Sequence, residues 1–462
     1  MIRKLGGKRT GALVALCLAQ LLLIVDVVVV TVALPTIQAD LAVPTGYLPL
    51  TSVAYTVPFG ALLIVAGRVG DLVGHRRVIV VGLALFVAAS LLCGVSAEPW
   101  QLFAARALQG VGAALVSPNA LTALLRVFDD EKGRGRALGL WASVASAGAI
   151  AGQLLGGVLT DLAGWRSIFL INVPLGIVAL LVLRKALPAL PGSGAERPAV
   201  PNALLLVTVV GGGSLVLARA NGGWTGGLTA AVVVLVLLAA ALGMAEVRSR
   251  RPLLEPGVLR QRGVVVGNTV LALNVATVTT ALYVTSLVLQ NELGFSALQT
   301  GLAFAPITAI VLLVSPKAGA AVATVGARPL LIGAGVTTTA GVALLTAFAE
   351  HGYLAGVLPG LALVALGSGL GYAPMFALAT SVDDRLQGAA SGLVTTVQEL
   401  GAAIGLAALT TAGLALATSG DAGSATYLVA TIASLLATLV AFAARPTRAA
   451  ETVSPPEREP AT

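Results

Sequence analysis

Gln20-Leu21-Leu22-Leu23-Ile24-Val25-Asp26-Val27-Val28-Val29-Val30-Thr31 decides the reading of this chain. It sits within an apolar run at 12–34. About 20 apolar residues suffice for a helix to cross a bilayer. A single carboxylate interrupts the run. A charge in lipid costs at least ~2.5 kcal/mol, so Asp26 is expected to face protein or water rather than acyl chains.

Working outward, thirteen further runs of near-span length lie at 48–66, 78–96, 101–125, 137–159, 167–186, 203–220, 228–245, 265–289, 299–322, 329–348, 354–380, 388–415 and 424–444. In lipid the backbone must satisfy itself, so runs this long are helices. Hydrophobic residues make up 57% of the 462 and charged residues 10%, against about 25% charged in soluble proteins. The 54 glycines suit close packing of membrane helices. The net charge of +8 does not point to nucleic acid, because the basic residues occupy short loops and form no basic face. Anionic lipid heads are the expected partner.

With the N-terminus placed in the cytoplasm, all 28 Lys and Arg fall on the cytoplasmic side except Arg106, Arg166 and Arg219. That bias supports both the span count and a multi-pass protein of the cytoplasmic membrane with both termini inside. The basic start followed by ~24 apolar residues exceeds the 7–15 of a signal peptide, so a retained first span is expected. The Pro- and charge-rich tail 445–462 is expected to be disordered. Cys17 and Cys93 lie in apolar runs, and His75 and His351 have no ligand-spaced neighbours. No metal, disulfide framework or cofactor is expected. No Lys precedes a Ser or Thr, so there is no phosphate loop, and no enzyme constellation appears.

The chain repeats itself. Ala137-Leu138-Gly139 opens the fifth run and Ala390-Ser391-Gly392 the thirteenth, and Gly148 and Gly152 fall at the offsets of Gly401 and Gly405. Gly67, Gly74 and Arg76 after the second run are echoed by Gly319, Gly326 and Arg328 after the tenth. An all-α membrane fold is expected, with an N-terminal six-helix bundle at 1–186, a linker with two extra helices at 187–262 and a C-terminal six-helix bundle at 263–444.

The loop Gly67-Arg68-Val69-Gly70-Asp71-Leu72-Val73-Gly74-His75-Arg76-Arg77 resembles the signature loop of the major facilitator superfamily. Leu72 and His75 stand where that loop usually carries basic residues. Asp26 with Ala33-Leu34-Pro35 resembles the first-span motif of its fourteen-span drug:proton antiporters. Arg106-Ala107-Leu108-Gln109-Gly110-Val111-Gly112 resembles their fourth-span Arg motif, and Trp165–Gly176 the entry to their sixth span. Gly148-Ala149-Ile150-Ala151-Gly152-Gln153-Leu154-Leu155-Gly156-Gly157 resembles their antiporter motif, with Gln153 in place of proline. The resemblance covers nearly the whole chain. It implies a gating loop of Gly67, Asp71, Gly74, Arg76 and Arg77. It also implies an antiporter-motif helix carrying Gly148, Gly152, Gln153, Gly156 and Gly157.

Three charges lie inside runs. At ~1.5 Å per residue, Asp26 and Arg106 reach similar depth. They form either a fixed ion pair or a proton site whose state depends on their contact. Glu399, ~16 Å into its run, is a second proton carrier, a cation-binding group or a hydrogen-bonded structural acid. Asn119, Asn268, Asn274, Gln153, Gln290 and Gln398 are further polar residues within runs. Asn119, Asn274, Gln290 and Gln398 are cavity candidates; hydrogen bonding between helices is the ordinary role for each. The resemblance implies a monomeric proton-coupled exporter of lipophilic, often cationic, compounds. A facilitator-fold carrier for one endogenous metabolite, by symport or uniport, is the alternative. A membrane protein that transports nothing is a third possibility.

Overall fold

The computed structural model describes residues 7–128, 131–190, 192, 200–220, 225–249, 256–382, 386–417 and 422–444. The tail 445–462 lies outside the described residues. Among these residues every regular element is helical: α1 (Gly7–Leu41), α2 (Leu50–Val73), α3 (His75–Gly94), α4 (Pro99–Val127), α5 (Glu131–Ala163), α6 (Arg166–Leu170), α7 (Asn172–Ala186), α8 (Val200–Ala220), α9 (Gly226–Arg248), α10 (Pro256–Leu259), α11 (Arg262–Leu287), α12 (Ala297–Val325), α13 (Ala327–Phe348), α14 (Leu358–Ala379), α15 (Gln387–Leu416) and α16 (Ala422–Ala441). Thirteen spans among the described residues are long and apolar enough to cross a membrane. The 33-residue α5 carries the run at 137–159 and packs between α1 and α12. The protein is an all-helical, multi-span membrane protein.

Local chemistry sets the helix ends. Ser296 and Gln299 form a capping box at the start of α12, and Glu98 with Gln101 does the same for α4, where Pro99 takes the first helical position. Such reciprocal caps satisfy amide donors that the helix itself leaves open. Gly74 (φ +99°) ends α2 and begins α3, and Gly326 (φ +86°) ends α12 and begins α13. Only glycine takes that left-handed region without steric cost. The two turns occupy equivalent places in the repeat.

Helices α1–α7 pack chiefly on one another, as do α11–α16. The repeated glycines explain the pairings. Gly148 and Gly152 of α5 lie against Leu21, Ile24, Val25 and Val28 of α1. Gly401 and Gly405 of α15 lie against Ala272, Val275 and Ala276 of α11. The same residue type thus brings the same pair of helices together in each half. Helix α8 packs on α2 and α15, and α9 packs on α8.

Three seams join the two groups: α1 with α11, α5 with α12, and α2 with α15. We call the side at which α1 begins the near face and the other the far face. Described hydrogen bonds across the first two seams lie from mid-helix to the far face. Ser286 Oγ donates to the Thr31 carbonyl at 2.8 Å, and Gln290 Nε2 to that of Val32 at 2.9 Å. At the far face Asp161, near the end of α5, caps α12: it accepts from Ser296 Oγ at 2.6 Å and from the amides of Ala297 and Leu298 at 3.1 and 3.0 Å.

Candidate functional site

Asp26, Arg106, Gln109 and Asn172 form one buried network, with Asp26 and Gln109 fully inaccessible and Arg106 and Asn172 1% exposed. Arg106 Nη1 donates to Asp26 Oδ2 at 2.5 Å and to Gln109 Oε1 at 2.9 Å. Asp26 Oδ1 accepts from Asn172 Nδ2 at 2.8 Å and Gln109 Nε2 at 3.1 Å. Gln109 Nε2 also donates to Ser90 Oγ at 2.8 Å, and Cys93 Sγ lies 3.2 Å from Gln109 Oε1. Arg106 Nε donates to the Thr51 carbonyl of α2 at 3.1 Å. Helices α1, α4 and α7 therefore meet at one carboxylate, and α2 and α3 join them through Arg106 and Gln109.

The local sequence makes this possible. Gln109 follows Arg106 by three residues, so both project from one face of α4. Gly110 meets the backbone of Tyr55 closely, which draws α2 onto α4. The Tyr55 ring then stacks on the Arg106 guanidinium, 4.5 Å from ring centroid to Cζ, with the Phe169 ring at 5.6 Å. Ring faces compensate the lost hydration of a buried cation. The Tyr55 hydroxyl is buried and has no hydrogen-bond partner among the described residues.

Motif glycines of α5 flank the carboxylate. Gly148, Gly152 and Gly156 carry α5 against α1 from Leu21 to Val29, bracketing Asp26 in sequence, while Gly157 meets Ala297 and Leu298 of α12. A space of about 120 Å³ between α1, α5, α6 and α7, lined by Val25, Ile171 and Asn172 among others, adjoins the network. Gln153 stands in a continuous helix, and its Oε1 accepts from Thr308 Oγ1 of α12 at 3.0 Å.

Glu399 occupies a different place. It is half-buried in α15 against Gly60 of α2, and Gln398 Nε2 is 3.4 Å from its Oε1. No described hydrogen bond joins it to the Asp26 network, but Tyr55 lies within electrostatic reach of Asp26, Arg106 and Glu399 together.

The stretch Gly67–Arg77, expected as a loop, is the end of α2 and the start of α3 around the single turn residue Gly74, and it is tied to its own helix group. Asp71 Oδ1 lies 3.5 Å from Arg126 Nη2 and 3.3 Å from His75 Nε2, the latter a proximity without hydrogen-bond alignment. His75 Nδ1 meets Asn119 Oδ1 at 2.7 Å, and Arg76 donates to the Arg184 carbonyl at 2.5 Å. Gly74 abuts the Leu190 carbonyl, Gly67 sits by Pro118, and Arg77 is exposed. Asn119 also donates to the carbonyls of Ala66 and Leu115, both at 2.9 Å. It therefore acts between helices. Gln290 crosses the α1–α11 seam, and Asn274 is buried in α11.

Tyr55, Gln109 and Asn172 escaped the reading of single residues. Gln109 and Asn172 stand within the Arg106–Gly112 and Trp165–Gly176 stretches, but nothing in their spacing from Asp26 reveals contact. Tyr55 had no signal beyond being an aromatic residue in a span.

Comparison with known proteins places this arrangement. The family model described as Major Facilitator Superfamily matches residues 16–406 and 271–462. The cephamycin export protein CmcT of Amycolatopsis lactamdurans is 36% identical over 425 residues, covering 90% of this chain and 86% of that one. The puromycin resistance protein pur8 of Streptomyces alboniger is 36% identical over 417 residues, covering 87% and 82%. The multidrug resistance protein Stp of Mycobacterium tuberculosis is 34% identical over 411 residues, covering 86% and 74%. Among solved structures, the POT family transporter PepTSo superposes with a TM-score of 0.68 at 14% identity over 95% of this chain and 98% of that one. Tetrameric PepTSo2 does so with 0.64 at 17%, over 94% and 98%. The chain is a membrane transporter belonging to the major facilitator superfamily.

Proposed function

We propose that this transporter is a proton-coupled antiporter that exports hydrophobic, often cationic, antibiotics or drugs across the cytoplasmic membrane by alternating access. The relatives named for cephamycin export, puromycin resistance and multidrug resistance support the export reading. The observation that carries the coupling is Asp26: a fully buried carboxylate whose ionised form rests on one guanidinium and two amides. An acid in a span that depends on so few donors changes its proton affinity when any of them moves.

In this reading residues 1–186 and 263–444 are two rocking bundles, with residues 187–262 carried between them. The near face is cytoplasmic, and the protein works as a monomer. The Asp161 contacts to α12 and the Thr31–Ser286 and Val32–Gln290 contacts hold the outer side together in this state. Proton entry from outside loosens Asp26 from Arg106 and returns the emptied bundles to this state. Glu399, on the α2–α15 seam, meets the cationic end of the cargo.

The test is efflux of ethidium from proteoliposomes under an imposed proton gradient. Asp26→Asn is expected to insert normally and to abolish gradient-driven efflux; undiminished efflux by that variant rejects the coupling. Relatives named for one compound each speak for a narrower cargo, as in a second reading, a facilitator-fold carrier for a single endogenous metabolite. A susceptibility panel in a pump-deleted host separates the two: protection against many unrelated compounds supports the first, and against one alone the second.

A further inference from the structure

The two helices outside the six-helix repeats, α8 and α9, have no part in the Asp26 network. With α10 they wall off a chamber of about 610 Å³ against the α2–α15 seam. Apart from Thr396 of α15 its walls are aliphatic: Ala61 and Ile64 of α2, Leu393, Val397 and Leu400 of α15, and Leu206, Ala239 and Leu242 of the inserted pair. Gly243, Val247 and Leu259 are both lining and exposed, and only 6% of the most apolar stretch of α9 is buried, so the chamber adjoins the bilayer. Two charged groups stand at its near-face lip, Glu246 and Arg260. Asn202 Nδ2 donates to Glu246 Oε1 at 2.5 Å and holds that carboxylate in place.

The lip and the chamber have the layout of one lipid. Glu246 and Arg260 lie at the ends of membrane segments, at headgroup level. From Glu246 to Ala239, and from Leu393 to Leu400, the lining runs ~10 Å along each helix, counted at 1.5 Å per residue. A purely cationic ligand would meet Arg260 as a like charge. A phospholipid bearing phosphate and ammonium complements both groups, phosphate to guanidinium and ammonium to carboxylate. We infer that the chamber between α2, α15 and the α8–α9 pair binds a near-leaflet phospholipid with an amine headgroup, one acyl chain entering beside the seam. This inference stands independently of the proton-coupling proposal.

The glycines supply a clean test. A Cβ on Gly243, which lines the chamber, or on Gly213, which does not, would meet nothing within 4 Å. The full chain is extracted in mild detergent from bilayers of equal phosphatidylethanolamine and phosphatidylglycerol, and retained lipids are counted by native mass spectrometry. Wild type is expected to keep phosphatidylethanolamine preferentially. Gly243→Phe should reduce that retention ~10-fold by filling apolar space, while Gly213→Phe leaves it unchanged. Arg260→Gln should weaken both lipids ~10-fold, and Glu246→Gln should erase the headgroup preference, as expected for a lost charge-assisted contact. Ala239→Leu repeats the filling test should Gly243→Phe not fold. Equal retention by wild type and both filling variants would overturn the inference, as would a wild type without headgroup preference. One-for-one displacement of the lipid by tetraphenylphosphonium would also overturn it, by making the chamber a cargo site.

Discussion

An ideal Cβ on Gly60 of α2 would stand 2.7 Å from the Cβ of Glu399 on α15. The one acidic side chain in the middle of α15 thus meets the opposite helix group where that group has no side chain. Gly60→Val would force the seam apart, and overpacking of this kind costs ~1–3 kcal/mol. The expected outcome is a lower melting temperature and slower efflux in Gly60→Val, with Gly60→Ala intermediate. Thermal unfolding of the purified protein and ethidium efflux check both.

Glu399→Gln keeps the shape and removes the charge. Export of cationic compounds should fall several-fold more than export of neutral ones, measured side by side in the same cells. An equal loss for both classes would count against charge pairing with the cargo.

Asp26→Asn leaves Arg106 buried without its counter-charge, and breaking a buried pair costs ~3–5 kcal/mol. The double variant Asp26→Asn with Arg106→Gln removes both charges. It should recover most of the melting temperature lost by Asp26→Asn alone and none of the gradient-driven efflux. Recovery of efflux along with stability would reduce the pair to a structural tie.

Tyr55→Phe keeps the ring that stacks on Arg106 and deletes a buried hydroxyl without a described partner. Stability should hold or rise, because an unsatisfied buried hydroxyl costs ~1–3 kcal/mol. Gradient-driven efflux should slow, since Tyr55 lies within electrostatic reach of both Asp26 and Glu399. Unchanged efflux would confine Tyr55 to stacking.

Asp161→Ala removes the cross-seam contacts to the start of α12 and leaves the Ser296–Gln299 capping box in place. The far side should open more often, and Thr308→Cys in that background should react faster with a membrane-impermeant maleimide added from the far face. Cys17 and Cys93 are buried, so the native background is low. An unchanged labelling rate would show that Asp161 does not hold this face closed.

Much of the fold was legible because lipid leaves a chain few choices. All fourteen apolar runs fall on helices, and the glycine echoes at Gly148/Gly401 and Gly74/Gly326 became equivalent contacts and turns. The run at 167–186 was less legible: it is divided at Ile171 into α6 and α7, and that break sets Asn172 at the start of α7 beside Asp26. Depth along a helix aligned Asp26 with Arg106, but rotation about the helix axis decides contact, and a lone chain does not display it. For the same reason Gln109 and Tyr55 became visible only once packed. The chamber beneath α9 draws its walls from residues 61 to 400, a juxtaposition that no local pattern encodes.

The backbone contact of α5 with α1 at Gly152, and of α15 with α11 at Gly405, has a mechanical consequence. Each couple is meshed backbone to backbone, and the α5–α12 seam at Gly157 and Gly301 is meshed at least as closely. In the alternating access proposed above, the seams at Gly60, Gly157 and Gly301 are the contacts that have to rearrange, with polar catches such as Thr308–Gln153 setting the resting position. On that proposal, cross-linking these seams is expected to hold the transporter in one pose for structural work.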